Sequence, residues 1–514
     1  MEIKINEIPQ EFELSYCNLN TYLVDGELIH WDGENQSVVS PAIVKNEKGI
    51  KNPIIGSYPL LTKKEAEKAL NAAYSAYDHG NGIWPSSSVD YRINCLRDFV
   101  EEMLKERGKI IRMLMWEIGK NFKDAEKEFD RTVEYIDGTI TEYLLKVTQA
   151  QKSNSVKDIA VKTVFSPLGV VYCMGPYNYP LNETFALLIP ALIMGNTVLF
   201  KPPKYGVLLH GFLLKAFKNT FPKGVVNVIF GSGRELSKPI MSSGKISVLA
   251  FIGSTKAALA LKQMHPNPNR LRSVLGLEAK NPAIVLKSAD IDQSVDECIN
   301  GALSFNGQRC TALKIIFVHK DIADVFNEKF SSKIQELKYG MPWDKDVKLT
   351  PLPEKDKIDY LNMLVDDALE RGARIINNSG GQSLLSYYNP AVLFPCDSSM
   401  KVYHEEQFGP VIPIVEFSDK SEVLEYVQNS SYGQQTSIFG KNTQDIHSLS
   451  SKLSYHFSRI NINAQCQRGP DTLPFTGRKD SAEGVLSLSE ALDRFSTEVI
   501  TAIPNRPIND GFLV

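Results

Sequence analysis

GVVYCMGPYNYPLNETFALLIPALIMGNTVLFKPPK, residues 169–204, decides the fold. It opens on one apolar run, Val170–Met174, and ends on another, Thr197–Phe200, neither of them alternating with polar residues. Between them lies FALLIPALIMG, Phe185 to Gly195, which contains Pro190 and is too short for the roughly 18 apolar residues a membrane span needs. It reads as a buried helix. Two short buried strands joined by a helix make a crossover unit of a parallel sheet, with helices covering both faces.

The rhythm continues outward. Strand-like runs at Val225–Ile229 and Val248–Ile252 extend the first alternation to about Leu277. A second alternation runs from Ile291 to about Ile462, with strand candidates at Lys314–Val318, Val411–Phe417 and Arg459–Asn463. Upstream, Thr62 and Glu65 form a capping box, and Ala66, Ala69, Leu70, Ala73 and Tyr77 recur at helical spacing as far as Gly80. Asp90 to about Trp116 carries further helical periodicity. The first fifty residues read as an extended arm or small hairpins, and the polar stretch Gln149–Asp158 as a hairpin tip or linker. The expectation is two α/β domains with a separate tail from 485 onward.

Composition narrows the function. A chain of 514 residues with 43% hydrophobic and 23% charged residues is globular and long enough for two or three domains. A net charge of -3 offers no basic field for nucleic acid or an anionic membrane, so neither is expected as a partner. The 8 histidines show no paired metal-ligand spacing, and no metal is expected. Seven scattered cysteines and an N-terminus without an apolar leader make the cytoplasm the expected compartment, where a thiol can stay reactive.

Two stretches carry chemistry. In FNGQRCTALK, Phe305 to Lys314, Cys310 lies between Gly307 and Thr311 beside Arg309, a guanidinium expected to favour the thiolate nucleophile. In residues 175–204, Asn178 follows a strand end and precedes a helix, where its amide can donate to an oxyanion. Lys201 sits at the carboxyl end of the next strand, the side on which open parallel sheets bind ligands.

Together these stretches resemble the aldehyde dehydrogenase superfamily. The likeness extends through FGSG (230–233), FIGST (251–255), EEQFGPV (405–411) and LPFTGRKDS (473–481), in order, over roughly residues 60–485. It implies an aldehyde dehydrogenase-like fold of two parallel-sheet α/β domains plus a small β oligomerisation arm. Residues 1–142 and 165–285 would form the cofactor-binding domain, and 286–484 the catalytic domain. The oligomerisation arms would be 143–164 and 485–514, in a homodimer or homotetramer.

By the same resemblance Cys310 forms a thiohemiacetal with the aldehyde, and Asn178 and the Cys310 backbone N–H hold its oxyanion. Hydride leaves for a nicotinamide cofactor and the resulting thioester is hydrolysed. Gly253 and Ser254 would approach the cofactor pyrophosphate, Glu406 would hold the nicotinamide ribose, and Phe408 would lie beside the ring. Lys204, with Lys201 nearby, stands where NAD-preferring relatives carry a Glu, so NADP is the expected cofactor and NAD the alternative.

Within the superfamily the non-phosphorylating glyceraldehyde-3-phosphate dehydrogenases look most similar, through NYPLN (178–182), KPP (201–203), GQRCTA and QRGPDTLPF (467–475). In that subgroup the substrate phosphate is bound by residues matching Arg131, Tyr179, Arg309 and Arg468. One departure stands out. The family's general-base motif Glu-Leu-Gly-Gly-Lys is here GLEAK, 276–280, with Gly276 at the glutamate position and Glu278 as the displaced candidate. That change keeps open a CoA-acylating enzyme, in which a thiol takes the acyl group. A non-catalytic relative with a binding role is the third alternative.

Overall fold

Buried β-branched and aromatic runs form the two sheets that the crossover pattern predicts. The computed structural model describes residues 7–47, 49–150, 154–509 and 512. The first sheet has eight strands, in the order Ala482–Glu483, Arg272–Gly276, Ile246–Ile252, Val170–Met174, Thr197–Phe200, Val226–Val228, Thr21–Val24, Glu27–His30. Its five central strands are parallel. Both flanks are antiparallel: the Thr21–Val24 and Glu27–His30 hairpin closes one edge, and Ala482–Glu483 closes the other.

The chain builds outward from Val170–Met174 in one direction, then returns to build Ile246–Ile252 on its other side. The strand order therefore reverses between those two strands, and a crevice opens beyond their carboxyl ends. That is where an open parallel sheet receives a ligand. The expected helix between the first two strands is Asn182–Ile193, buried along its whole length.

The second sheet has seven strands, in the order Arg374–Ile375, Ala391–Phe394, Val411–Phe417, Leu313–His319, Asn281–Val285, Gln435–Phe439, Arg459–Ile462. All are parallel except the first. Asn281–Val285, at the heart of this sheet, was not among the expected strands; it is short and opens on Asn281-Pro282.

The Thr62 capping box forms as expected, with the Glu65 carboxylate accepting from the Thr62 N–H at 3.0 Å. The periodic stretch 90–116 is two helices, Val89–Lys105 and Arg107–Ile118, broken at Glu106. The arm is a sheet in which Ser496–Pro504 pairs antiparallel with Ile159–Pro167, and Asn154–Val156 adds a third strand. Residues 151–153, inside the expected hairpin tip, lie outside the described residues. The arm is narrower than its expected bounds. Residues 143–150 complete the helix Phe122–Ala150, because EYLLKVTQA contains no breaker and Tyr143 stays buried. Leu488–Arg494 is a helix packed against it. Among the described residues, no helix is long and apolar enough to cross a membrane.

One side chain ties these layers together. Asn196 is fully buried. It accepts from the N–H groups of Leu168 and Gly169 at 2.8 and 3.1 Å, and donates to the carbonyls of Ala191 and Phe495 at 3.0 and 2.8 Å. A buried donor or acceptor left unpaired costs roughly 1–3 kcal/mol. Asn196→Ala should therefore lose on the order of 3–5 kcal/mol, read as a lower urea midpoint. A shift worth less than about 1 kcal/mol would mean that water enters and replaces the amide.

Candidate active site

Cys310 follows a turn that the sequence makes unusual. Phe305, Asn306 and Gly307 all have positive φ, at 49°, 55° and 73°. A Cβ on Gly307 would stand 2.7 Å from the Ala302 carbonyl oxygen, so only glycine fits there. Asn306 anchors the turn, accepting from the Thr350 N–H at 2.9 Å. The Cys310 carbonyl accepts from Asn281 Nδ2 at 2.8 Å and from Lys314 Nζ at 3.1 Å. The backbone around Cys310 is thus held from two neighbouring strands, Asn281–Val285 and Leu313–His319.

Asn178 stands on the loop leaving Val170–Met174, at the switch point. It is buried, and its Nδ2 donates to the Gln308 carbonyl at 2.7 Å, two residues before Cys310. The structure therefore brings the two predicted chemical stretches together across the two sheets.

The thiol differs from expectation. Burial pushes Cys310 up to about 11, and the Glu183 carboxylate adds to that; Lys314, Arg468 and Arg309 pull the other way without winning. Arg309 is occupied elsewhere, donating to Thr311 Oγ1 and to the Cys466 carbonyl, both at 3.1 Å. Adjacency in sequence did not make it the dominant neighbour.

Glu278 is also displaced from its expected role. Its carboxylate accepts from the Thr255 N–H at 3.0 Å, at the start of the helix Thr255–Met264, where Ser254 is the N-cap. It acts there as a helix-capping anion. A Cβ at Gly276 would meet Ile252 Cγ1 at 3.2 Å and Leu486 Cδ1 at 3.5 Å, so the family's glutamate position is packed by apolar groups.

Of the residues expected to hold a cofactor, Lys201 and Ser254 follow strands of the first sheet, and Glu406 and Phe408 precede a strand of the second. Lys201 is buried, donates to the neighbouring Pro202 carbonyl at 2.6 Å, and is pulled down by burial to about 8. Gly233 leaves room beside its Cε, at 3.5 Å. Lys204 is exposed over the Tyr205 ring. Glu406 accepts from the Ala279 N–H at 3.0 Å and pairs with Lys314 at 2.6 Å. Phe408 lies near Tyr177, with ring centroids 5.9 Å apart. A buried ammonium that meets no carboxylate among the described residues suits a polar nucleotide. At Gly253 and Ser254 the fit is conditional, because Glu278 holds the first N–H of that helix.

The anion-binding candidates form a cluster that already contains acids. Arg131 grips Asp471 through two bonds, at 2.7 and 3.2 Å. Arg468 meets Glu183 at 3.3 Å and Asp471 at 3.1 Å, and lies 4.3 Å over the Phe475 ring. Tyr179 packs against Phe305, and Arg309 counters the upward push of burial on its phenol. Sequence reading missed Glu183, Asp471, Lys314, Lys120 and Glu128. Glu183, Lys120 and Glu128 look like ordinary surface charges in a helical context, and burial distinguishes them; Lys314 opens an expected strand, and Asp471 is half-buried in a polar loop.

A thiol held near 11 is a thiolate in only a small fraction at neutral pH. Iodoacetamide modification of Cys310 in cofactor-free protein should rise about tenfold per pH unit from 7 to 9, followed on the Cys310 peptide by mass spectrometry. A plateau by pH 8 would show that the cations dominate instead.

Comparisons with known proteins agree with this geometry. The family model described as "Aldehyde dehydrogenase family" matches residues 36–500. The chain is 31% identical over 452 residues to an NADP-dependent glyceraldehyde-3-phosphate dehydrogenase of Streptococcus equinus, covering 86% of this chain and 92% of that one. It is 28% identical over 469 residues to a lactaldehyde dehydrogenase of Methanococcus aeolicus, covering 89% and 97%. Its structure is similar to that of the NADP-dependent glyceraldehyde-3-phosphate dehydrogenase from Bacillus halodurans C-125 complexed with NADP. There the TM-score is 0.86 and the identity 30%, over 95% of this chain and 100% of that one. With the match spanning nearly the whole chain and both halves of the site in place, the chain belongs to the aldehyde dehydrogenase family.

Proposed function

We propose that this protein oxidises glyceraldehyde 3-phosphate to 3-phosphoglycerate with NADP as hydride acceptor. The observation that carries the phosphate reading is Arg468. It is buried, its charge acts on Cys310, and its Nε and Nη1 meet Glu183 and Asp471 without an aligned hydrogen bond. Each of these two N–H groups, on different sides of the guanidinium, keeps capacity for an anionic acceptor. Tyr179, Arg131 and Arg309 complete the cluster. The relatives' names support the same substrate and cofactor.

The chemistry follows from the residues. The Cys310 sulphur bonds to the aldehyde carbon as the thiol gives up its proton to solvent water, and Asn178 Nδ2 and the Cys310 N–H receive the oxyanion. The cofactor, when bound, accepts the hydride leaving that carbon. The carbon–sulphur bond of the thioester then breaks as water adds, releasing acid and free thiol. Lys201 and Lys204 would hold the adenosine ribose and its phosphate, Gly253 and Ser254 the pyrophosphate, and Glu406 and Phe408 the nicotinamide end. The seven cysteines are free thiols, which supports a cytoplasmic setting.

A second reading keeps the first half of the mechanism and changes the acyl acceptor to the thiol of CoA. It is motivated by Gly276 and by the engagement of Glu278 with Thr255.

The test is steady-state oxidation of glyceraldehyde 3-phosphate and of glyceraldehyde, with NADP and NAD, in wild type and Arg468→Ala. Hydrogen bonds to charged groups contribute on the order of 1.5–3 kcal/mol. The variant should therefore lose roughly 10- to 150-fold in kcat/KM on the phosphorylated substrate, and little on the other. Equal losses on both would make Arg468 structural, and a wild type indifferent to the phosphate would end the substrate assignment. An acyl-CoA product on adding CoA would favour the second reading.

We further propose assembly as a dimer or tetramer through the arm, whose Ile159, Val164, Val499 and Ile500 are exposed apolar residues on paired strands. Sedimentation at micromolar concentration should show no monomer; a monomer there refutes the assembly.

A further inference from the structure

Beneath the Asn178 loop lies an ion pair with no access to water. Lys120 follows the helix Arg107–Ile118, which ends at Gly119 with φ 72°, and Glu128 stands on Phe122–Ala150. Both side chains are fully buried and in direct contact. Burial pushes the Lys120 ammonium down, and the Glu128 charge opposes that push.

The pair's remaining bonds all go to one segment of chain. Lys120 Nζ donates to the Asn178 carbonyl at 2.9 Å. The second oxygen of Glu128 accepts from the N–H groups of Leu181 and Asn182, at 3.0 and 3.2 Å. The ammonium also lies 3.7 Å from the Tyr179 ring centroid and 4.6 Å from that of Phe305, on the turn before Cys310.

Stability alone does not account for such a pair. Removing two charges from water costs about as much as their attraction returns, and apolar replacements are often as stable. What the pair adds is position. The loop 175–181 contains no strand or helix, yet its Asn178 amide must point at one atom of a reacting substrate.

We propose that Lys120 and Glu128 are positioning residues for the oxidation step, fixing the backbone of residues 178–182 so that the Asn178 amide meets the oxyanion. The inference rests on the reading of Asn178 as an oxyanion donor. Neither member of the pair touches the substrate; each acts through Asn178.

A double-mutant cycle on the rate of the first NADPH turnover tests this, using the full chain with glyceraldehyde 3-phosphate. Asn178→Ala alone tests the underlying reading and should lose roughly 100- to 1000-fold, the usual cost of one oxyanion donor. Lys120→Met alone should lose roughly 10- to 100-fold through misplacement, with KM for NADP unchanged. In the Asn178→Ala background the same Lys120→Met change should cost less than about twofold, because the group it positions is gone. Lys120→Arg, which keeps a cation, should recover part of the rate. Additive losses in the cycle, or a Lys120→Met enzyme with wild-type rate, would overturn the positioning role. If Asn178→Ala turns over normally, the oxyanion reading itself falls and takes the inference with it. Should Lys120→Met fail to fold, the double change Lys120→Met/Glu128→Met carries the same cycle, since it leaves no unpaired buried charge while removing the partners of Asn178, Leu181 and Asn182.

Discussion

Loops at the ends of parallel strands that are buried on both faces have no water to satisfy their backbone groups, and this constraint governs the molecule. Several such loops are met by a buried polar side chain. Asn196 serves the entry to Val170–Met174, and Glu128 with Lys120 serves the loop that leaves it. Glu117, fully buried, accepts from the N–H groups of Val207 and Leu208 at 2.6 and 3.0 Å. Asn281 binds the Cys310 and Ala312 carbonyls, and Gln407 those of Lys314 and Val411. Cys310 and Asn178, the proposed catalytic groups, sit on such loops, so the partners that satisfy the loop backbones also set the geometry around these two residues.

Several charges of the candidate site are paired within the protein itself. Lys314 touches both the Cys310 carbonyl and Glu406, so one buried cation spans the nucleophile and the expected ribose site. Arg131 and Arg468 share Asp471, and Arg468 also faces Glu183. Such pairing lowers the cost of burying guanidiniums, and it means an incoming anion exchanges partners rather than filling an empty field. The thiol, with burial as its strongest influence, stays protonated at rest.

The fold was legible in sequence because it depends on local signals: apolar runs without alternation gave the parallel strands, and Thr62 and Glu65 gave a helix start. The GQRC and NYPLN stretches, expected to carry the chemistry, meet in space through Asn178 and the Gln308 carbonyl. The missed features depend on distance in space. Lys120, Glu128 and Glu183 look like solvated charges on helices, since a buried carboxylate and an exposed one share a letter. Arg309 was read as tuning the thiol because it is adjacent in the chain, but its guanidinium turns to Thr311 and Cys466. Glu278 could be placed within two residues of the expected base, but only the turn after Gly276 sends it to Thr255. The strand Asn281–Val285 escaped notice because an Asn-Pro start reads as a turn.

Both edges of the first sheet are closed by segments from opposite ends of the chain. The N-terminal hairpin meets Val226–Val228, and the Asp25 N–H bonds Asn227 across a separation of 202 residues. On the far side, Ala482–Glu483 seals Arg272–Gly276. Thr21–Val24 can pair at once with Glu27–His30, but its other edge waits for Val226–Val228, and Arg272–Gly276 waits for Ala482–Glu483, much later in the chain. Closing loops of that length before their contacts return any stability makes folding slow, and leaves an open strand edge available to other nascent chains. The same arrangement makes C-terminal truncation a solubility problem before it is a catalytic one.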